Sequence, residues 1–173
     1  AAARLTQIPM IQGWNLYQGW YEKDITGFER ILDRLHAQYP DKVLIVTEYG
    51  ADVDPRLHSF SPEQFDFSQE YGLVYNRHYL EQMRKRPFIA GSSLWNLNAF
   101  YSEPRADVVP HVNNKGVTGL DRELKDTYLF YKTALSRLYL TRSALSSLYD
   151  ANLGQAEKKM DQINQVFAIS NEG

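Results

Sequence analysis

Residues 42–50 read KVLIVTEYG, and this stretch decides the fold. Its continuous apolar and β-branched run predicts a strand buried on both faces, a pattern typical of parallel sheets. Glu48 ends the apolar run, which places a carboxylate at the carboxyl end of the strand. A carboxylate that leaves a buried strand costs free energy unless it is paired or hydrogen-bonded. Glu48 is therefore either a structural cap or a functional group.

Two further strands and three helices are predicted around this run. One strand ends near residues 15–17 and another spans residues 88–95. The helical spacing of apolar side chains predicts helices over residues 24–39, 68–86 and 125–139. Regular alternation of strands and helices implies βα units around a parallel sheet. The predicted fold class is therefore α/β.

The composition narrows the classes of function. Of the 173 residues, 43% are hydrophobic and 23% are charged, as in ordinary soluble globular proteins. A formal net charge of −2 provides no strong field for nucleic acid or an anionic membrane, and neither is expected as a partner. The chain has no Cys, no apolar run long enough to span a bilayer and no signal-peptide core. These features leave the cytoplasm, the periplasm and secretion all open.

The sequence carries no motif for a cofactor or a metal. No dinucleotide or phosphate fingerprint is present, so no cofactor is expected. The four His residues lack metal-ligand spacing, and no metal site is expected either. These residues are His36, His58, His78 and His111.

The candidate active-site residues lie at the carboxyl ends of the predicted strands. In parallel α/β folds the active site lies at the carboxyl ends of the strands. Those positions hold Asn15 and Tyr17, Glu48, and Trp95, while His58 lies in a loop at the same edge. A carboxylate, a phenol and an indole together fit glycoside hydrolysis, since carboxylates act on the anomeric carbon and aromatic rings hold the sugar. Each aromatic residue also has a structural alternative, because core packing or rim cover accounts for a single ring.

Several motifs together resemble glycoside hydrolase family 2. Residues 46–52, VTEYGAD, resemble the nucleophile signature of that family. Similar motifs follow in the family's order, so the resemblance covers roughly residues 8–135. They comprise residues 15–21, 54–60, 67–71, 86–96 and 113–132. The resemblance implies part of a TIM barrel, about three βα units equivalent to strands six to eight, within a domain of residues 1–140. Residues 141–173 are expected to form a helical or partly disordered tail.

The resemblance also implies roles for individual residues. Glu48 matches the nucleophile of a retaining double displacement, and Tyr17 matches the tyrosine that hydrogen-bonds it. Trp95 matches the floor of the sugar subsite, often through a cis peptide bond to the next residue. Asn113 and Lys115 match a pair that binds the sugar carboxylate in the β-glucuronidase branch, although the pair also occurs in other relatives. A tight polar turn is the structural alternative for this pair. Asn15 and His58 complete the candidate sugar-binding residues.

The general acid/base of such an enzyme is missing from the sequence. A retaining glycosidase needs two carboxyl groups about 5–5.5 Å apart. The family supplies the second from an Asn-Glu pair well before the nucleophile, but the only Asn-Glu here is Asn171-Glu172. A complete barrel needs about 250 residues, so we expect an inactive part of a barrel. Because a part-barrel exposes sheet edges, the isolated chain is expected to form homo-oligomers or to swap elements.

The expected activity is the hydrolysis of terminal β-glycosidic bonds in carbohydrates. The motifs favour a β-galactosidase-like specificity. A β-glucuronidase or β-mannosidase of the same family is the alternative. A non-catalytic carbohydrate-binding or interaction module is the second alternative, and it would retain Trp95 and Asn113 without the chemistry.

Overall fold

The computed structural model describes residues 8–106 and 109–140. The described residues fall into two units, one ending at Thr127 and the other starting at Tyr128. The tail expected over residues 141–173 lies outside the described residues.

Within the described residues, three parallel strands form the main sheet. The strands are β1 (Ile11–Asn15), β2 (Val43–Glu48) and β3 (Ile89–Ser92), in the spatial order β1-β2-β3. Helix α1 (Gly27–Gln38) follows β1, and helix α2 (Gln69–Arg84) follows β2. The predicted α/β class, the strand–helix alternation and the parallel pairing are confirmed.

The chain beyond β3 departs from the prediction in detail. Strand β3 ends at Ser92, so the predicted strand through Trp95 was too long. The stretch after β3, where no strand was predicted, contains a small antiparallel pair, β4 (Phe100–Tyr101) with β5 (Val112–Asn113). Two-residue strands are too short to leave a period-two pattern in the sequence. The third helix, α3 (Asp126–Leu140), lies where it was predicted.

The expectation that β2 is buried on both faces was wrong. Leu44 and Val46 are each 1% exposed, whereas Val43 is 42% exposed and Thr47 is also exposed. Burial therefore alternates along the strand, and only one face of the described sheet is covered. The apolar run still reads as a two-sided strand in the sequence, because composition does not record whether a covering layer is present.

The covered side of the structure is built on aromatic rings. Phe28 of α1 stacks on Tyr79 of α2 with ring centroids 3.7 Å apart. Tyr75 and Tyr49 stack on the same Tyr79 ring at 4.4 Å and 5.2 Å. All four rings are buried, so stacked aromatic side chains form much of this core. The Ser68 side chain accepts a hydrogen bond from the Tyr71 backbone N–H (3.0 Å) and so caps the N-terminus of α2.

We predict that the isolated 173-residue chain self-associates through the open face and edges of this sheet. β1 and β3 are edge strands, and edges invite pairing. Substituting the exposed Ile11 of β1 with Lys should shift the chain toward monomer in light scattering. Val74→Lys, at a 40% exposed position on α2, is the matched control and should leave the assembly state unchanged. A wild-type chain that stays monomeric at high concentration would show the prediction to be wrong.

Candidate active site

Strand register brings Tyr17 and Glu48 together. Asn15 at the end of β1 pairs with Glu48 at the end of β2, and the Leu16 backbone N–H donates to the Glu48 carbonyl oxygen (2.8 Å). The Tyr17 hydroxyl, just beyond, donates to Glu48 Oε2 at 3.0 Å. Burial raises the pKa of Tyr17, and the hydrogen bond to the Glu48 carboxylate raises it further. Tyr17 is therefore a permanent donor to this carboxylate near neutral pH.

Asn15 lies on the exposed side of the same strand end. Its side-chain oxygen accepts a hydrogen bond from Thr47 Oγ1 at 2.8 Å. This contact joins β1 to β2 one residue before Glu48, so it fixes the edge from which the carboxylate emerges.

Trp95 is held against the segment that follows Glu48. Its peptide bond to Asn96 is cis, as the resemblance implied. Its backbone N–H donates to the Tyr49 carbonyl oxygen at 2.9 Å. Gly50 lies so close that an added Cβ would be 2.1 Å from the Trp95 carbonyl oxygen. Only a residue without a side chain permits this approach, which brings the backbones that carry Glu48 and Trp95 together.

Asn113, the last residue of β5, and Lys115 belong to a buried turn. The Lys115 backbone N–H donates to Asn113 Oδ1 at 3.2 Å, so the polar turn weighed as the structural alternative is present. The turn also lies beside the Trp95 segment, because the Val117 backbone N–H donates to the Asn96 carbonyl oxygen at 3.0 Å. The backbone of this turn therefore lies at the same edge as Trp95.

A buried carboxylate, Asp52, binds the Lys115 ammonium. The two side chains form an ion pair, and each is only 1% exposed. Arg105 Nη1 lies 3.3 Å from the same Asp52 oxygen, so two cations share one carboxylate. This cluster was not predicted from the sequence. Asp52 is the last residue of the VTEYGAD run, so its place in that motif could have marked it as a candidate site residue. Arg105 lies in a loop outside any motif, so nothing in the sequence marks it.

Tyr21 lies between this cluster and the Tyr17–Glu48 pair. Its ring centroid is 5.0 Å from that of Tyr17 and 4.7 Å from Lys115 Nζ. Its hydroxyl accepts a hydrogen bond from Arg105 Nη2 at 2.9 Å. The side chain is half exposed. Tyr21 therefore neighbours both the Tyr17–Glu48 pair and the two cations.

His58 contacts Glu70 at the start of α2. Its Nδ1 lies 2.8 Å from Glu70 Oε1, and the Ser59 backbone N–H donates to the other carboxylate oxygen at 3.0 Å. The hydrogen bond with Glu70 raises the pKa of His58 above its ordinary value. This contact gives His58 a structural role at the helix start, and its sugar-binding role stays a prediction.

Among residues 8–106 and 109–140, no group of three or more His, Cys, Asp or Glu side chains is placed to hold a metal ion. In the same part of the chain, no helix has the length and apolar character needed to cross a membrane.

Comparison with known proteins places these features in a family. A β-glucuronidase of Bacteroides fragilis is 30% identical over 126 residues, which cover 69% of this chain and 18% of that protein. A crystal structure of Bacteroides uniformis β-glucuronidase matches with a TM-score of 0.74 and 47% identity, over 77% of this chain and 16% of that one. The chain belongs to glycoside hydrolase family 2. No protein-family model matches it.

A further family 2 structure carries a bound inhibitor. Bacteroides uniformis β-glucuronidase 2, covalently bound to cyclophellitol-6-carboxylate aziridine, matches with a TM-score of 0.72 and 48% identity, over 75% of this chain and 16% of that one. The chain thus spans less than a fifth of the length of each of these relatives.

The close approach at Gly50 predicts a sharp difference between two glycines. Gly50→Ala forces a methyl group into the Trp95 carbonyl oxygen and should lower the free energy of unfolding by about 1–3 kcal/mol. Gly91→Ala is the matched control, because an added Cβ there meets nothing within 4 Å, and it should change stability by less than about 0.5 kcal/mol. Urea unfolding of both variants measures the difference. Equal effects of the two substitutions would contradict this view of the site.

Proposed function

We propose that this chain supplies the nucleophile side of a retaining β-glycosidase site, with Glu48 as the nucleophile. The hydrogen bond from Tyr17 to Glu48 at the strand ends carries the proposal. Glu48 attacks the anomeric carbon, the glycosidic oxygen leaves with a proton from a general acid, and a glycosyl ester forms on Glu48. Water, which gives up a proton to the conjugate base of that general acid, then displaces Glu48 from the same carbon, so two inversions give net retention. The Tyr17 hydroxyl orients the carboxylate and stabilises its charge when it leaves the sugar.

The general acid/base is expected to lie in another part of the enzyme. No Asn-Glu precedes Glu48 in this chain, and each relative is more than five times as long as the segment it shares with the chain. The chain by itself is therefore expected to lack hydrolytic activity.

We further propose that the substrate is a β-glucuronide rather than a β-galactoside. The relatives described above are β-glucuronidases, which favours the alternative over the galactosidase-like specificity. Independently, Arg105 and Lys115 contribute two positive charges against the single carboxylate of Asp52. The remaining positive charge suits a carboxylate on the sugar, because charge-assisted hydrogen bonds to carboxylates are strong. Tyr21 is the exposed side of this cluster, so the sugar carboxylate is expected to approach there.

We predict that Glu48 forms a covalent adduct with cyclophellitol-6-carboxylate aziridine, the compound bound in the Bacteroides uniformis relative. The full-length protein that carries this segment is incubated with the compound, and peptide mass spectrometry locates the adduct. Glu48→Gln should abolish labelling. Tyr17→Phe should slow it by roughly 10–100-fold, since hydrogen bonds to charged groups contribute about 1.5–3 kcal/mol. The exposed Glu81→Gln is the control and should label normally. An adduct on another carboxylate would refute Glu48 as the nucleophile.

A second prediction concerns the choice of sugar. Lys115→Met should lower kcat/KM for a chromogenic β-glucuronide by roughly 10–100-fold, because it removes a charged partner of the sugar carboxylate. Asp52 keeps Arg105 as a partner in this variant, so the fold should survive. Lys85→Met, at an exposed position after α2, should leave kcat/KM unchanged. A wild-type enzyme that prefers the β-galactoside would overturn the proposed substrate.

A further inference from the structure

Lys125 is a fully buried cation that the proposed chemistry does not use. It directly precedes α3, and none of its surface is exposed. Its ammonium donates three hydrogen bonds, to the Val53 carbonyl oxygen (2.7 Å), the Asn114 carbonyl oxygen (2.7 Å) and Asn114 Oδ1 (3.0 Å). An ammonium has three N–H donors, so these acceptors satisfy it completely.

The acceptors belong to the two segments that carry the Asp52–Lys115 ion pair. Val53 follows Asp52 in the chain, and Asn114 stands between Asn113 and Lys115. The two segments also bond directly, since the Asn114 backbone N–H donates to Asp52 Oδ1 (2.8 Å) and the Val53 N–H donates to the Asn114 carbonyl oxygen (3.1 Å). Lys125 thus lies beneath their junction and bonds to both sides of it.

Alternative roles for Lys125 explain less of this arrangement. A buried ammonium is unfavourable unless it is paired, so simple filling of the core would favour an apolar residue. No carboxylate bonds to Lys125 directly, because the described partners of its ammonium are carbonyl oxygens. The ammonium holds three oxygens of two segments at fixed positions, and an apolar side chain would not.

We propose that Lys125 is a positioning residue for recognition of the substrate carboxylate. By fixing residues 113–115 against residues 52–53, it sets where Asn113 and Lys115 meet the carboxylate of the sugar. This inference rests on the proposed β-glucuronidase function. It predicts that loss of Lys125 weakens recognition of the carboxylate while the Tyr17–Glu48 pair continues to react.

Two probes that share one reactive group separate these effects. Cyclophellitol-6-carboxylate aziridine and the uncharged cyclophellitol aziridine both react with the nucleophile, but only the first carries a carboxylate. Rates of inactivation are measured for the full-length protein and for Lys125→Met, with Lys85→Met as the surface control. We expect Lys125→Met to lower the inactivation rate about 10-fold or more with the carboxylate probe and less than about 2-fold with the uncharged probe. Lys85→Met should match the wild type with both.

The pH dependence of the wild-type enzyme gives a test that needs no variant. Burial lowers the pKa of Lys125 to about 8, against the opposing charges of Asp52 and Asp54 from the segment after β2 and of Glu123 from its own segment. Above that pH the neutral amine has one donor fewer and no charge. The inactivation rate with the carboxylate probe, divided by the rate with the uncharged probe, should therefore fall between pH 7 and pH 9. In Lys125→Met, the ratio should stay flat over the same range.

The outcomes separate the two proposals. A wild-type enzyme that shows no preference for the carboxylate probe would refute the β-glucuronidase function itself. The positioning role alone would be refuted if Lys125→Met kept the wild-type preference for the carboxylate probe. It would also be refuted if the variant reacted more slowly with both probes by the same factor. A variant that fails to fold leaves the decision to the wild-type pH series, where a constant ratio would refute the positioning role.

Discussion

The buried carboxylate of Asp52 is the constraint on which the site depends. A charge in this position costs several kcal/mol unless other groups bond to it. Its two oxygens accept from the Lys115 ammonium, the Arg105 guanidinium and the Asn114 backbone N–H. These donors come from loops more than fifty residues further along the chain. One carboxylate thus links the segment after β2 to the β4–β5 connection and to the turn at the end of β5, and the candidate residues Asn113 and Lys115 lie at this junction.

A second layer of support comes from the tyrosines of α2. Their rings form the core, and their hydroxyls reach the backbone of the strand-end loops. Tyr79 donates to the Gln18 carbonyl oxygen at 2.8 Å, and Tyr71 donates to that of Gly19. The Tyr75 hydroxyl accepts from the Gly50 N–H at 3.4 Å. The same side chains therefore supply apolar packing and satisfy backbone groups beside Tyr17 and Glu48, which is a reason for Tyr rather than Phe at these positions.

How much of this was predictable from the sequence depends on the range of each interaction. The strand and helix order follows from local periodicity, and the meeting of Tyr17 with Glu48 follows from the rule that parallel strands end at one edge. The junction of Asp52, Arg105 and Lys115 does not follow, because a side-chain contact between distant loops leaves no periodic pattern. The burial of only one sheet face was also missed, since an apolar strand reads the same whether or not a second layer covers it. The motifs favoured a β-galactosidase-like specificity, and the Asn-x-Lys pair did not decide the matter, because it also occurs in relatives that are not glucuronidases.

The strand order β1-β2-β3 follows the order of the chain. Each strand pairs with the next one in sequence, so neighbours in space are also neighbours along the gene. As a result, the candidate nucleophile, its tyrosine partner, the indole and the paired cations all lie between residues 15 and 125. Recombination that moved this stretch as a block would transfer the candidate nucleophile and the candidate sugar-recognition residues together. In the proposed site, the attacking group and the groups that select the sugar would then be inherited together, apart from the general acid/base.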